Sequence, residues 1–238
     1  MQRLTDYLSG NPYPGRGIFL GLDETGEKAF IAYFIMGRSV NSRNRVFVEQ
    51  PDGGIITKAF DERKLVDPSL IIYAPVRVPA RGLYIVTNGY QTDTVRDYLA
   101  AGKTMEDALR TRTFEPDAPN YTPRISGLLQ AMDDKVSFRL SVLKADGSDQ
   151  PQPVRCFYEY QEPAPGTGRI VHTYQGDGEP LPSFSGEPVA LSVSGSLDEM
   201  TQAIWEALNE DNKVSLYTCC VHRVTGEAEH RIVNKLQN

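Results

Sequence analysis

The chain has 238 residues, 40% of them apolar and 24% charged, and its formal net charge is −6. That acidic balance argues against a dedicated nucleic-acid binder, which carries a basic face, and no apolar run approaches the roughly 20 residues that span a bilayer. Three cysteines, two of them adjacent at Cys219 and Cys220, supply neither a disulfide framework nor a metal-ligand spacing.

The first residues, Met-Gln-Arg-Leu-Thr-Asp-Tyr, lack the apolar core of a signal peptide, so a cytoplasmic protein is expected. Residues 1–16 read as a short amphipathic turn and a capping tail, an amino-terminal extension ahead of the first strand. Residues 17–23 and 28–36 are apolar and aromatic around Glu-Thr-Gly-Glu, which predicts a hairpin. A second hairpin is predicted from 46–50 and 55–60 around Pro51-Asp52-Gly53-Gly54, and two more strands at 70–78 and 83–87.

The period then changes. Thr92 is positioned to cap a helix over 92–101, and Thr104 opens another, ending near Thr111, with a capping-box pattern. Residues 114–127 hold three prolines, each restricting its own φ and the residue before it. They read as a stiff loop between helical flanks, carrying Glu115, Asn120, Tyr121 and Arg124 into a site. Residues 125–132 fit a helix or a strand equally well; 136–145, 154–160, 169–174 and 189–193 read as strands. Ser196-Leu-Asp-Glu199 caps a helix to about Leu208, and 214–224 with 228–233 form a last hairpin. The tally predicts an α+β domain over 1–238 with no internal boundary, two sheets face to face and helices outside.

Arginines outnumber lysines by 17 to 8, and three of them (Arg38, Arg43 and Arg45) lie within eight residues among Ser39, Asn41, Ser42 and Asn44. Guanidinium groups beside hydroxyls and amides suit a phosphate or a carboxylate. Arg43 and Arg45 are expected on one face of a strand. Tyr73 sits in an apolar run, and Asn88-Gly89-Tyr90-Gln91-Thr92-Asp93 ends a strand and opens a helix. The three histidines have no partners at zinc spacing, and no Gly-x-Ser-x-Gly elbow is present. On the residues alone, the reading stops at an arginine-rich anion pocket.

The motifs Gly-Arg-Ser-x-Asn-Ser-Arg-Asn-Arg, Ile-Ile-Tyr, Thr-Asn-Gly-x-Gln-Thr-Asp and Phe-Glu-Pro-Asp…Thr-Pro-Arg-Ile-Ser-Gly resemble those of archaeal-type inosine monophosphate (IMP) cyclohydrolases. The specific likeness runs from about Gly17 to Gly127. It implies a fold like that of the N-terminal-nucleophile hydrolases, a four-layer αββα sandwich. It also implies closure of a formamido-imidazole-carboxamide ribonucleotide to IMP and water, with no cofactor and no metal. By this likeness Arg38, Tyr73 and Glu115 are the catalytic residues, with Glu115 moving protons and the other two stabilising charge on the formyl oxygen. Asn41, Ser42, Arg43, Asn88, Asp93, Asn120 and Arg124 are expected to hold phosphate, ribose or carboxamide. The implied partner is a small-molecule purine nucleotide, with no nucleic acid and no membrane. The long loops over 145–188 are expected to cover the pocket, alter the substrate or support a homo-oligomer. Two other readings stay open: a non-catalytic purine-nucleotide binder and a self-processed amidohydrolase. The latter is disfavoured by an initial Met in place of Cys, Ser or Thr.

Overall fold

The strand β2 (Lys28–Met36) sets the architecture, because it is buried along nearly its whole length. Successive side chains of a strand point to opposite faces. Ala29, Ile31, Tyr33 and Ile35 therefore enter one core, and Phe30, Ala32, Phe34 and Met36 enter another. A strand apolar on both faces needs cover on both. The computed structural model, which describes residues 1–65, 68 and 71–237, provides that cover as four layers.

One antiparallel sheet has the order β11 (Val189–Ser192), β10 (Thr167–His172), β1 (Arg16–Leu22), β2, β12 (Lys213–His222) and β13 (Ala228–Asn234). The other runs β3 (Arg45–Glu49), β4 (Ile55–Ala59), β5 (Val76–Ala80), β6 (Leu83–Thr87), β7 (Arg124–Met132), β8 (Lys135–Ala145) and β9 (Pro153–Gln161). The core between them joins Ile18, Leu20 and Ile31 of the first sheet to Val86, Leu129 and Leu140 of the second. Helices α1 (Leu4–Ser9) and α5 (Leu197–Ala207) cover the first sheet through Leu4, Leu8, Met200 and Ile204. Helices α3 (Gln91–Ala100) and α4 (Met105–Arg110) cover the second through Val95, Met105 and Leu109. Each such side chain contributes about 1.5–3 kcal/mol on full burial. The expected α+β sandwich, with two antiparallel sheets inside and helices outside, is what the chain forms. Among the described residues, no helix is long and apolar enough to cross a membrane.

Several local expectations are corrected. The expected amphipathic turn in residues 1–16 is α1, with Leu4 and Leu8 buried, but the first strand opens one residue earlier than expected, at Arg16. Residues 125–132 are strand, so the proline-rich loop has a helix only before it and ends at Arg124, the first residue of β7. Arg43 and Arg45 do not share a strand face. Arg43 ends a one-turn helix, α2 (Val40–Arg43), held by reciprocal Ser39–Ser42 hydrogen bonds, and Arg45 begins β3. The expected strand over 70–78 starts only at Val76; its first residue, Leu70, lies outside the described residues. Thr92 does not cap α3; Tyr90 precedes the helix, and the Thr92 hydroxyl bonds the Gly89 carbonyl at 2.9 Å.

Candidate active site

The loop before β7 folds back on itself to hold one carboxyl group. Glu115 donates its backbone N–H to the Thr122 carbonyl at 2.9 Å, so the two arms of the loop are paired. Asp117 clasps the turn between them: its carboxylate accepts from the Thr122 N–H at 2.7 Å and also from the Thr122 hydroxyl. Phe114 packs edge-on against Tyr121, their ring centres 5.4 Å apart. The prolines at 116, 119 and 123 restrict the remaining backbone freedom. Glu115 is thereby fixed with only 2% of its surface exposed.

Two arginines from the two sheets converge on it. Arg16, at the start of β1, donates Nη2 to Glu115 Oε1 at 3.0 Å. Arg124, at the start of β7, brings Nη1 within 3.8 Å of the same oxygen and donates to Gln91 Oε1 at 3.0 Å. Its guanidinium also lies over the Tyr90 ring, 4.4 Å from the centroid. Burial raises the Glu115 pKa above the ordinary carboxyl value; Arg16 and then Arg124 oppose that rise without cancelling it. Burial opposes the charge on Arg16 more than any single neighbour favours it, but Glu115 together with Tyr73, Tyr174 and Tyr33 outweighs it and Arg16 keeps its proton.

Glu115 and Arg16 line a cavity of about 280 Å³ with Tyr13, Arg38, Ser39, Ser42, Arg45, Asp117, Asn120, Tyr174 and Leu181 among its other walls. Its floor is cationic and buried, with Arg45 only 1% exposed. Its mouth is more exposed. There Arg38 donates Nη1 to Asp177 at 2.6 Å and to the Gly178 carbonyl at 3.2 Å, and stacks 5.1 Å from the Tyr13 ring centre. Asn120 Oδ1 accepts from the Leu181 N–H at 3.0 Å, which ties the proline loop to the segment carrying Asp177. Within the long 145–188 region, the residues after β10 form this side of the cavity wall, through Tyr174 and Leu181.

The structure therefore brings Arg38, Ser42, Glu115 and Asn120 to one cavity, with Arg124 behind Glu115. Tyr73 is buried beside it, its hydroxyl 2.8 Å from that of Tyr33, and both its backbone N–H and carbonyl are bonded to Thr57. The remaining expected residues stand elsewhere. Arg43 turns away, donating Nε to the Gly37 carbonyl at 2.8 Å and Nη2 to Asn212 at 3.2 Å. Asp93 pairs with Arg77 and Arg96 on the outer face of the second sheet. Asn88 bonds the Pro123 carbonyl and the Ile125 N–H, supporting the site from below. Asn41 lies on α2 and is not among the cavity walls.

A family model described as IMP cyclohydrolase-like protein matches residues 13–226. The chain belongs to the IMP cyclohydrolase-like family. The match takes in Tyr13 and Arg16, which the sequence reading had set aside as extension, and the whole 145–188 region. Cyclohydrolase activity in purine biosynthesis, that of a hydrolase acting on a cyclic amidine, is the activity of this family, and its substrate is a small-molecule nucleotide.

For an IMP cyclohydrolase two cavity residues of consequence, Arg16 and Tyr174, have no role in the sequence analysis, and Arg45 enters it only as part of the arginine-rich anion pocket. Arg16 sits 99 positions from Glu115, and only the packing of β1 against the second sheet joins them. Arg45 carried a signal: it alternates with Phe47, so a strand beginning at 45 points both inward. Tyr174 bonds the Thr122 hydroxyl from the opposite wall, and burial pushes its pKa up to about 12, so it stays neutral. A second cavity of about 210 Å³ between α1, β11 and α5 is lined by Leu4, Met200 and Ile204 with Arg3 at its edge. It holds no buried charge and no acid–base pair.

Proposed function

We propose that this chain, as one domain over its full length, closes a formamido-imidazole-carboxamide ribonucleotide to IMP with Glu115 as the proton-transfer group. The observation that carries the assignment is a buried carboxyl with a raised pKa, wedged between Arg16 and Arg124 on the wall of a cationic cavity. In the reaction the carboxamide nitrogen attacks the formyl carbon, forming the N–C bond while the carbonyl π pair moves to oxygen. The carboxamide nitrogen loses one proton, the formamide nitrogen loses the other, the C–O bond breaks, and the oxygen leaves as water. Both groups sit on one molecule, so the enzyme's task is to hold the reactive rotamer and relay those two protons.

A carboxyl whose pKa burial raises suits both halves of that relay, accepting from nitrogen and donating to oxygen. Tyr73, close enough to Arg16 and Arg45 to act electrostatically on both, stabilises charge on the oxygen through this pair. Arg38 stands at the mouth, where its present partner is an exposed carboxylate, and takes an anionic group of the nucleotide there with Ser42 and Asn120 beside it. The acid–base role predicts that Glu115→Gln lowers turnover by roughly two to four powers of ten while the protein stays folded. Ultraviolet absorbance of ring closure measures it, and a variant with full rate removes Glu115 from the chemistry.

A further inference from the structure

An edge strand presents unpaired N–H and C=O groups to any strand that can reach it. The two sheets have four edges, β11, β13, β3 and β9, and three of them are guarded. β11 is four residues long, and its Ser192 N–H donates to the Gln2 carbonyl at 2.9 Å. On β3 the Asn234 side chain takes up both backbone groups of Phe47, at 2.8 and 3.0 Å. β13 carries Glu229, His230 and Arg231 in succession, and charge of this kind discourages pairing. β9 differs. It is nine residues long and pairs with β8 in unbroken register from Pro153 to Gln161. Outside that ladder, its backbone groups have no bond partner among the described residues. Val154 is exposed on it, and the rings of Phe157, Tyr158 and Tyr160 are only half-buried.

The strand is complementary to a second copy of itself. Phe157 packs with the core under α3 and α4, and Tyr160 with the core between the sheets. Arg155, Phe157 and Glu159 therefore share the helix side, while Val154, Cys156, Tyr158 and Tyr160 share the inner side. A two-fold axis that pairs β9 antiparallel with its copy keeps like faces together, so the pairing centres on a residue. Centred on Phe157, it sets Arg155 opposite Glu159 of the second copy, twice by symmetry. On the inner side it sets Val154 opposite Tyr160 and Cys156 opposite Tyr158. Neighbouring registers lose this match: centres at Cys156 or Tyr158 set a charge against Phe157, and centres at Arg155 or Glu159 set like charges against each other. Glu159 is 48% exposed and bonded only from Arg139 at 3.4 Å and Gln161 at 3.3 Å. Arg155 is steadied by the Arg112 carbonyl through Nε and Nη2, at 3.2 and 2.7 Å, and its Nη1 remains for a further acceptor. We propose that two copies of this chain pair antiparallel through β9, centred on Phe157, and join their seven-stranded sheets into one. The pairing is independent of the cyclohydrolase reading.

The test measures mass in solution by sedimentation equilibrium for the parent chain, for Arg155→Glu, for Glu159→Arg and for an equimolar mixture of the two variants, with melting followed by circular dichroism as the check on folding. The parent is expected to be a dimer at micromolar concentration. Each variant alone sets like charges opposite each other at both pairs, and its dimer should dissociate at least about tenfold more readily. The mixture sets opposite charges at both pairs again, so a dimer with one copy of each variant should return, identified by native mass spectrometry. A monomeric parent overturns the proposal and leaves the edge to some other strand. A dimer whose affinity neither variant changes places the contact on another surface and overturns it as well, as does a mixture no tighter than the variants alone. Where Arg155→Glu fails to fold through its lost hold on the Arg112 carbonyl, Glu159→Gln and Glu159→Arg decide: affinity that falls stepwise from parent to Gln to Arg supports the pairing, and affinity that stays level overturns it.

Discussion

Glu115 and His172 are both buried titratable groups, and their surroundings drive them to opposite uses. Glu115 faces a cavity between two guanidinium groups and has a raised pKa. His172 is sealed, with 0% exposure and both ring nitrogens occupied. The Tyr174 carbonyl, 2.8 Å from Nδ1, can only accept, so Nδ1 carries the proton and Nε2 accepts from the Tyr7 hydroxyl at 2.6 Å. Burial lowers its pKa from 6.5 to about 4. The unfolded chain takes up that proton near pH 6.5 and the folded one only near pH 4, so stability is full above pH 6.5 and falls as the pH drops toward 4. The whole loss attributable to this ring is about 3 kcal/mol. Melting temperature should therefore fall from pH 6.5 to 5, before most carboxylates titrate, and His172→Gln should remove most of that slope. An unchanged slope in the variant would assign the pH dependence to other groups.

Elements were legible from sequence wherever a side-chain period and a turn residue agreed. The hairpins at Gly26 and Gly53, the capping boxes at Thr104 and Ser196, and the doubly apolar β2 all lie where their residues put them. The helix α2 was not legible, because four residues cannot show a period and its capping pair is Ser39–Ser42 in place of the usual Ser/Thr with Glu/Gln. The proline loop was legible as a loop, and its task of holding Glu115 was not, since that depends on strands that begin at positions 16 and 124. Gly89 links element to site. A Cβ there would lie 2.3 Å from Arg124 Nη1 and 2.6 Å from Gln91 Oε1, so only glycine lets Arg124 lie in its present place. Gly89→Ala should leave the fold intact and move Arg124 from Glu115, lowering turnover by roughly ten- to a hundredfold, the cost of an ångström-scale misplacement. Parent-like kinetics with an unchanged melt would mean that Arg124 is not needed where it stands.

At the scale of the molecule, the cavity lies where both sheets and three connections meet: the starts of β1 and β3, with the loop after β2, the proline loop before β7 and the segment after β10. No short stretch of sequence contains that junction, which is why the motifs announced a nucleotide site and only the fold assembled it. Anything that fills the cavity should stabilise the folded chain as a whole. IMP at about a hundred times its Kd adds about 2.7 kcal/mol, which for a chain of this length raises Tm by roughly 5–10 °C. Inosine at the same concentration should do markedly less, because Arg38 at the mouth then has no anion to take.

Ring closure at Glu115 can be followed in a single assay. Purified chain is mixed with the formamido-imidazole-carboxamide ribonucleotide and followed by ultraviolet absorbance, with Glu115→Gln alongside. Stoichiometric IMP is expected from the parent chain and a rate at least about a hundredfold lower from the variant. No IMP from the parent chain, or equal rates from the two proteins, would contradict it.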